Sequence, residues 1–211
     1  FTKFSKINNI NIIAGIAPGL DFDFKNFNNK LQKKESLDFT LLLNKAKQLL
    51  DDGATSIALL LDDIPDDFKN KFGNQISEGT SHGILANTLS ESLGKNIYFV
   101  PRIYADELIE DEPNYLKDLG SVLNQRTKIF YCGKNVVSKN LTSFSKVDKI
   151  LSNEIVFWDN YYANDYCPRR FFIGPYIGRE KLKKIMINPT GLINTDLLIL
   201  DIFASGINHK P

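Results

Sequence analysis

Six short runs of the chain are almost continuously apolar and rich in β-branched or aromatic residues. They lie at residues 11–17, 55–61, 96–100, 128–131, 154–158 and 184–187. Continuous rather than alternating apolar character is typical of strands that are buried on both faces, as in a parallel sheet. The pattern therefore predicts six parallel strands.

Amphipathic helical patterns separate these strands. The clearest follows Ser36, a suitable N-cap residue, and ends at Gly53. Alternating strands and helices predict a parallel α/β domain, either an open doubly wound sheet or a closed barrel. Further helices are predicted at residues 78–93, 114–123, 144–151 and 195–204, and the Asn- and Lys-rich run at 25–34 is predicted to be a solvated loop.

Polar residues follow nearly every predicted strand. In a closed barrel the carboxyl ends of all strands meet at one mouth, whereas in an open sheet only the switch point brings them together. The distribution therefore favours a (β/α)8 TIM-type barrel. Because a complete barrel has eight strands in typically about 250 residues, residues 1–211 are expected to form a partial barrel with strands 3 to 8 and without the first two βα units. The chain begins with Phe1 and not Met, so the natural start is expected upstream.

Charge and composition exclude several classes of partner. The 26 basic and 25 acidic side chains give a net charge of +1, so neither nucleic acid nor a membrane surface is expected as a partner. No apolar run approaches the roughly 20 residues that span a bilayer. The two cysteines, Cys132 and Cys167, lack metal-binding spacing and are too few for a disulfide framework. Oligomeric state and compartment are left open, with the cytoplasm slightly favoured.

Two adjacent aspartates, Asp62 and Asp63, end the second predicted strand. Burial of unpaired carboxylates is costly, so we expect both at the strand mouth. If they share a pocket about 5 Å apart, an effective dielectric near 20 gives roughly 3 kcal/mol of repulsion, or about 2 pKa units. One carboxyl would then stay protonated near neutrality, as a general acid requires.

Two other interpretations of this acidic stretch remain open. The pair could be a helix N-cap with a surface acid beside it. Residues 62–67 also fit the DDxxD pattern that binds magnesium diphosphate in prenyl-transferring enzymes of an all-helical fold. A preceding strand and Pro65, which would interrupt a helix, disfavour this magnesium site.

Another predicted strand runs into an aromatic and polar cluster at residues 155–166. Aromatic walls combined with carboxylate and amide groups are typical of a sugar site. The alternative is a surface loop whose aromatic side chains only cap the barrel.

Five motifs, in this order along the chain, resemble glycoside hydrolase family 84, the β-N-acetylglucosaminidases that include the O-GlcNAcases. The resemblance implies a (β/α)8 barrel and a retaining exo-hydrolase acting on terminal or O-linked GlcNAc of a glycan or glycoprotein. In this family the substrate's own 2-acetamido oxygen attacks the anomeric carbon, and neither metal nor cofactor is needed. The motifs are AGIAPGLD at 14–21, ALLLDDI at 58–64, WDN at 158–160 with AND at 163–165, GPY at 174–176 with GR at 178–179, and NP at 188–189.

The resemblance also implies roles for individual residues. Asp62 would orient and stabilise the acetamido group, and Asp63 would be the general acid and then the general base. The other matched residues would hold the sugar: Tyr104 at the acetamido group, Trp158 as a pocket wall, Asn160 on the acetamido side, and Asp165 and Asn188 at the far hydroxyls.

The chain departs from the family pattern in three ways, one of which is Tyr131-Cys132-Gly133 in place of a Trp-Thr-Gly strand end. A sugar-binding glycine and lysine of the family's opening segment have no counterpart, and Arg102-Ile103 replaces the usual residues before Tyr104. A non-catalytic glycan-binding or degenerate barrel fragment therefore stays open as an alternative. His82 is expected to be structural.

Overall fold

The computed structural model describes residues 2–29, 33–110, 112–141, 144, 146–163, 177–180 and 182–208. Its centre is one curled, all-parallel sheet whose six strands follow each other in chain order. This order lacks the reversal of a doubly wound sheet, and it agrees with part of a barrel. All six predicted strands are confirmed: β1 (Ile13–Ile16), β2 (Ser56–Leu60), β3 (Tyr98–Val100), β4 (Lys128–Tyr131), β5 (Ile155–Asp159) and β6 (Ile185–Ile187).

Helices connect the strands and cover the outer face of the sheet. The five predicted helices are confirmed with small shifts of their ends, and three short ones were not predicted. Of the helices in the described ranges, none has the length and apolarity needed to cross a bilayer. The helices are α1 (Thr2–Ile7), α2 (Phe24–Asn29), α3 (Leu37–Asp51), α4 (Phe68–Phe72), α5 (Glu78–Leu93), α6 (Tyr115–Val122), α7 (Val147–Ile150) and α8 (Ile193–Asn208), with 3-10 turns at Lys33–Glu35 and Asp106–Leu108.

The prediction of a solvated loop at residues 25–34 is wrong for its first part, which forms α2. Phe27 of this helix is fully buried, with its ring centroid 5.4 Å from that of Phe22 and 5.8 Å from that of Phe39 in α3. Burial of large aromatic side chains outweighs the polar composition of this segment, because Lys25, Asn26 and Asn29 are exposed and Asn28 Nδ2 donates to the Ser81 hydroxyl.

The main core lies between the outer face of the sheet and α3, α5 and α6. Ile57, Leu59 and Phe99 from the strands pack there with the buried faces of the helices. α5 and α6 approach so closely that a Cβ on Gly79 would lie 2.2 Å from the carbonyl oxygen of Tyr115. The helices therefore hold β2 and β3 firmly, and with them the loops that follow.

The inner face of the sheet is lined by a second, smaller apolar cluster of Ala58, Val100, Phe130 and Val156. These side chains border a cavity of about 740 Å³. Both faces of β2 to β5 are thus buried as predicted, but Ile13 of β1 is 40% exposed. The inner cavity shares Asp62, Trp158 and Asn188 with a cavity at the predicted site.

Candidate active site

A cavity of about 210 Å³ lies at the carboxyl ends of the strands, where the parallel arrangement brings the strand-following loops together. Six of the seven residues predicted from the sequence line it, and Asp165 lies outside the described residues. One further lining residue, Val136 in the loop after β4, was not predicted. The predicted residues are Asp62, Asp63, Tyr104, Trp158, Asn160 and Asn188.

The two aspartates enter this cavity from the end of β2. The Leu61 N–H donates to the Val100 carbonyl over 2.9 Å, so pairing with β3 continues up to the residue before Asp62. Asp62 is half-buried and also borders the inner cavity, whereas Asp63 is exposed. Neighbouring carboxyl groups thus have different surroundings within one pocket.

Burial raises the pKa of Asp62 from 3.8 to about 6, opposed by a backbone hydrogen bond and assisted by the charge of Asp63. The sequence argument predicted a raised pKa from repulsion between the pair. Desolvation is instead the largest cause, because Asp62 points toward the apolar interior of the sheet. The raised pKa falls on the residue that is expected to orient the acetamido group.

An Asp62→Asn substitution should stabilise the fold at high pH. The folded-state pKa lies above the ordinary value, so the folded protein binds this proton more tightly and its stability falls as pH rises from about 4 to about 6. With allowance for partial exposure, ionised Asp62 costs about 1 kcal/mol, or about 2–4 °C in melting temperature. Thermal unfolding should show this gain at pH 8 and almost none at pH 4.

The matched control is Glu110→Gln, which removes an exposed carboxyl group in a turn. It should leave the melting temperature nearly unchanged at both pH values. A gain for Asp62→Asn of equal size at pH 4 and pH 8 would contradict the assigned pKa.

Two aromatic side chains form one wall of the cavity. The rings of Tyr104 and Trp158 have centroids 5.2 Å apart and are inclined by 37°. The Tyr104 carbonyl accepts a 2.7 Å hydrogen bond from the Cys132 N–H, which attaches the loop after β3 to the end of β4. The wall is therefore built across three strands.

Two amide side chains form the opposite part of the lining. Asn188 Nδ2 donates to Asn160 Oδ1 over 3.1 Å, and Asn160 Nδ2 donates to the Val136 carbonyl over 3.1 Å and to Cys132 Sγ over 3.3 Å. Among the described residues, Asn160 thus uses both amide hydrogens within the protein and accepts one hydrogen bond at its carbonyl oxygen.

The structure bears on three alternatives: a reactive cysteine, a metal site and the magnesium diphosphate interpretation of the acidic stretch. Burial raises the pKa of Cys132 far above its usual range, so this residue is a neutral thiol. Cys167 lies outside the described residues. In the described part of the chain, no group of three His, Cys, Asp or Glu side chains is arranged to hold a metal ion. The parallel sheet contradicts the all-helical fold of the magnesium diphosphate alternative.

Sequence reasoning missed two buried ion pairs at the ends of β3 and β5. Arg102, after β3, donates to both carboxylate oxygens of Glu78 over 2.6 Å each. Arg179 likewise donates to both carboxylate oxygens of Asp159, over 2.7 and 3.0 Å. Gly178-Arg179 was noted as a motif and Arg102 as a departure from the family pattern, but neither signal indicated the partner of the arginine. His82 is structural as expected, because it is fully buried with Nδ1 2.8 Å from the Tyr115 hydroxyl, and burial lowers its pKa to about 3.

The sequence was compared with protein families and with individual proteins, and both comparisons find enzymes that act on N-acetylglucosamine. A family described as beta-N-acetylglucosaminidase matches residues 2–195. Protein O-GlcNAcase of Rattus norvegicus and that of Mus musculus are each 32% identical to the chain over 195 residues, which is 85% of this chain and 20% of the relative. The chain thus spans about a fifth of the length of these relatives.

Solved structures show the same fold. The structure of CpGH84B superposes with a TM-score of 0.77 at 22% identity, over 99% of this chain and 38% of that one. A mutant O-GlcNAc hydrolase of Thermobaculum terrenum superposes with a TM-score of 0.76 at 24% identity, over 98% and 45% of the two chains.

Proposed function

The chain belongs to the β-N-acetylglucosaminidase family, glycoside hydrolase family 84, and on this premise we propose that it is part of an exo-acting hydrolase for N-acetylglucosamine. Its substrates would be glycans or glycoproteins that carry the sugar at a terminus or linked to a protein oxygen. The observation that carries the proposal is the single cavity lined by both aspartates and by the Tyr104–Trp158 wall.

The proposed reaction is substrate-assisted and proceeds in two steps. In the first, the 2-acetamido oxygen forms a bond to the anomeric carbon while the glycosidic C–O bond breaks, and Asp63 gives its proton to the leaving oxygen. In the second, Asp63 takes a proton from water, which attacks the anomeric carbon and restores the acetamido group. Configuration is retained because the anomeric carbon is inverted twice.

Asp62 would hold the acetamido N–H and balance the positive charge that develops on the oxazoline ring. A carboxylate in half-buried surroundings is well suited to this task, because electrostatic attraction is stronger where water is partly excluded. With its pKa near 6, Asp62 is mainly ionised at neutral pH. Asp63 is exposed, which suits a residue that would give a proton to the departing oxygen and take one from the attacking water.

The deciding assay uses the full-length protein and an aryl N-acetylglucosaminide. Substrates with an N-fluoroacetyl, N-difluoroacetyl or N-trifluoroacetyl group should be turned over progressively more slowly, because fluorine withdraws electron density from the attacking oxygen. We expect about a 100-fold or greater fall in kcat across the series, equivalent to about 3 kcal/mol in the activation barrier. Rates independent of fluorination would contradict the acetamido attack.

The alternative of a non-catalytic glycan-binding fragment predicts a different outcome. Asn160 and Asn188 hydrogen-bond to each other and could hold a sugar without any chemistry. Binding of N-acetylglucosamine by the full-length protein without turnover, under conditions in which a family member is active, would favour this alternative.

We also propose that βα units outside these 211 residues complete the catalytic barrel. Support comes from the inner cavity of about 740 Å³, and from α8, where Leu197 and Leu198 are 59% and 52% exposed. Two more parallel strands would pair with β1 and β6 and cover these surfaces. A dye that fluoresces on apolar surfaces should therefore bind the 211-residue chain more strongly than the full-length protein, and equal binding would contradict the proposal.

A further inference from the structure

Arg179 and Asp159 form a fully buried ion pair beside the candidate site. Both side chains are 0% exposed. Arg179 Nε donates to Asp159 Oδ2 over 2.7 Å, and Nη2 donates to Oδ1 over 3.0 Å. Because removal of two charges from water is costly, a buried ion pair is weak evidence for stability alone. Its position therefore calls for a functional explanation.

The remaining donors of Arg179 attach two further segments to the end of β5. Nη1 donates to the carbonyls of Lys139 and Ile177 over 2.9 and 3.2 Å, and Nη2 also donates to the Ser138 carbonyl. The guanidinium lies over the Tyr161 ring, with its carbon 4.9 Å from the ring centroid. One cation thus joins the loop after β4, the end of β5 and the segment at 177–179.

The close approach of these segments is visible at Gly178. Its φ is +87°, and a Cβ there would lie 1.9 Å from the carbonyl oxygen of Leu141. Only glycine fits this position without movement of the backbone. A tightly packed turn at Gly178 therefore places Arg179 next to Asp159.

Asp159 lies between two residues that line the candidate sugar cavity. Side chains alternate along a strand, so Trp158 and Asn160 point to the cavity while Asp159 points away from it, toward Arg179. Asp159 Oδ1 also accepts from the Tyr161 N–H over 3.0 Å, which fixes the chain on the far side of Asn160. The Arg179-bound loop carries Val136, whose carbonyl accepts from Asn160.

We propose that Arg179 is a positioning residue that acts through Asp159 and the Ser138 and Lys139 carbonyls to set where Trp158 and Asn160 stand against the sugar. The inference rests on the proposed function. A positioning role predicts that substitution of Arg179 weakens sugar binding. A purely structural role predicts a loss of stability with unchanged sugar binding.

The test compares Arg179→Lys and Arg179→Met in the full-length protein, with Phe39→Leu as control. Lysine keeps the charge but cannot form the two parallel hydrogen bonds of the guanidinium. Phe39 is fully buried in α3 and outside the residues that line the cavity, so its variant loses stability without touching the site. For each protein we would measure the melting temperature, kcat and KM on an aryl N-acetylglucosaminide, and the Kd of N-acetylglucosamine.

We expect Arg179→Lys to raise KM and Kd about tenfold while kcat falls less than about threefold, because displaced binding groups weaken sugar contacts first. Arg179→Met should raise KM and Kd further. Phe39→Leu should lower the melting temperature with unchanged KM and Kd. Unchanged KM and Kd in Arg179→Lys would overturn the inference even if Arg179→Met does not fold. If the wild-type protein binds the sugar without turnover, the proposed hydrolase fails, and the Kd comparison still decides the role of Arg179.

Discussion

An Asp63→Asn variant is expected to lose about 10²–10⁴-fold in kcat on a substrate with a poor leaving group, the range that a positioned general acid contributes. Asparagine has nearly the same shape but cannot give a proton to the glycosidic oxygen. An aryl leaving group of low pKa leaves without that proton, so its release should be much less affected. The measurement is kcat for a series of N-acetylglucosaminides whose leaving groups differ in pKa.

The matched control for this substitution is Asp67→Asn, which changes an aspartate of the same acidic stretch outside the cavity lining. Its carboxylate lies 3.1 Å from Lys71 Nζ, and Asp67 occupies the N-cap position of α4, which asparagine also suits. Its kcat should stay within about twofold of wild type. An equal loss for good and poor leaving groups in Asp63→Asn would contradict the general-acid assignment.

A Phe27→Ala variant is expected to lower the free energy of unfolding by about 3–5 kcal/mol, the usual cost of removing a buried phenylalanine. The side chain is 0% exposed and packs between Phe22 and Phe39, so its removal leaves a cavity under α3. Urea unfolding measures the loss. Lys25→Ala on the exposed side of the same helix should change stability by less than about 0.5 kcal/mol.

The contrast between buried Phe27 and exposed Lys25 shows why α2 could not be predicted. Asn and Lys dominate residues 25–34, and the burial of Phe27 depends on a helix that begins ten residues further along the chain. If the loss for Phe27→Ala were below about 1 kcal/mol, the segment would behave as the solvated loop that its composition indicates. The six strands, in contrast, could be predicted because continuous apolar runs are a local signal.

The candidate site could be predicted from the positions of residues after the strands. Parallel strands end at one edge, and a sheet that curls as in a barrel brings even the ends of β2 and β6 together, so Asp62, Tyr104, Trp158 and Asn188 were expected to lie near each other. The groups that hold them could not be predicted. Arg179 contacts backbone carbonyls 40 and 41 positions earlier in the chain, and no local pattern encodes such a contact.

The pKa of Asp62 illustrates a further limit. Adjacent aspartates suggest mutual repulsion, but the pleat of the strand sends one carboxyl toward the apolar interior and the other toward solvent. The dominant cause of the raised pKa therefore depends on which side of the backbone each aspartate occupies. That choice follows from the alternation of side chains along β2, which puts Asp62 on the same face as Ala58 and Leu60.

During synthesis on the ribosome, each strand of this protein would emerge next to an edge that is already built, because every strand pairs with its predecessor in the chain. The sheet can grow one unit at a time from the amino-terminal side, without waiting for a distant segment. If the proposed βα units complete a ring, the concave apolar side stays in contact with water until that ring closes. We expect nascent chains halted before closure to recruit chaperones, and the completed ring to release them.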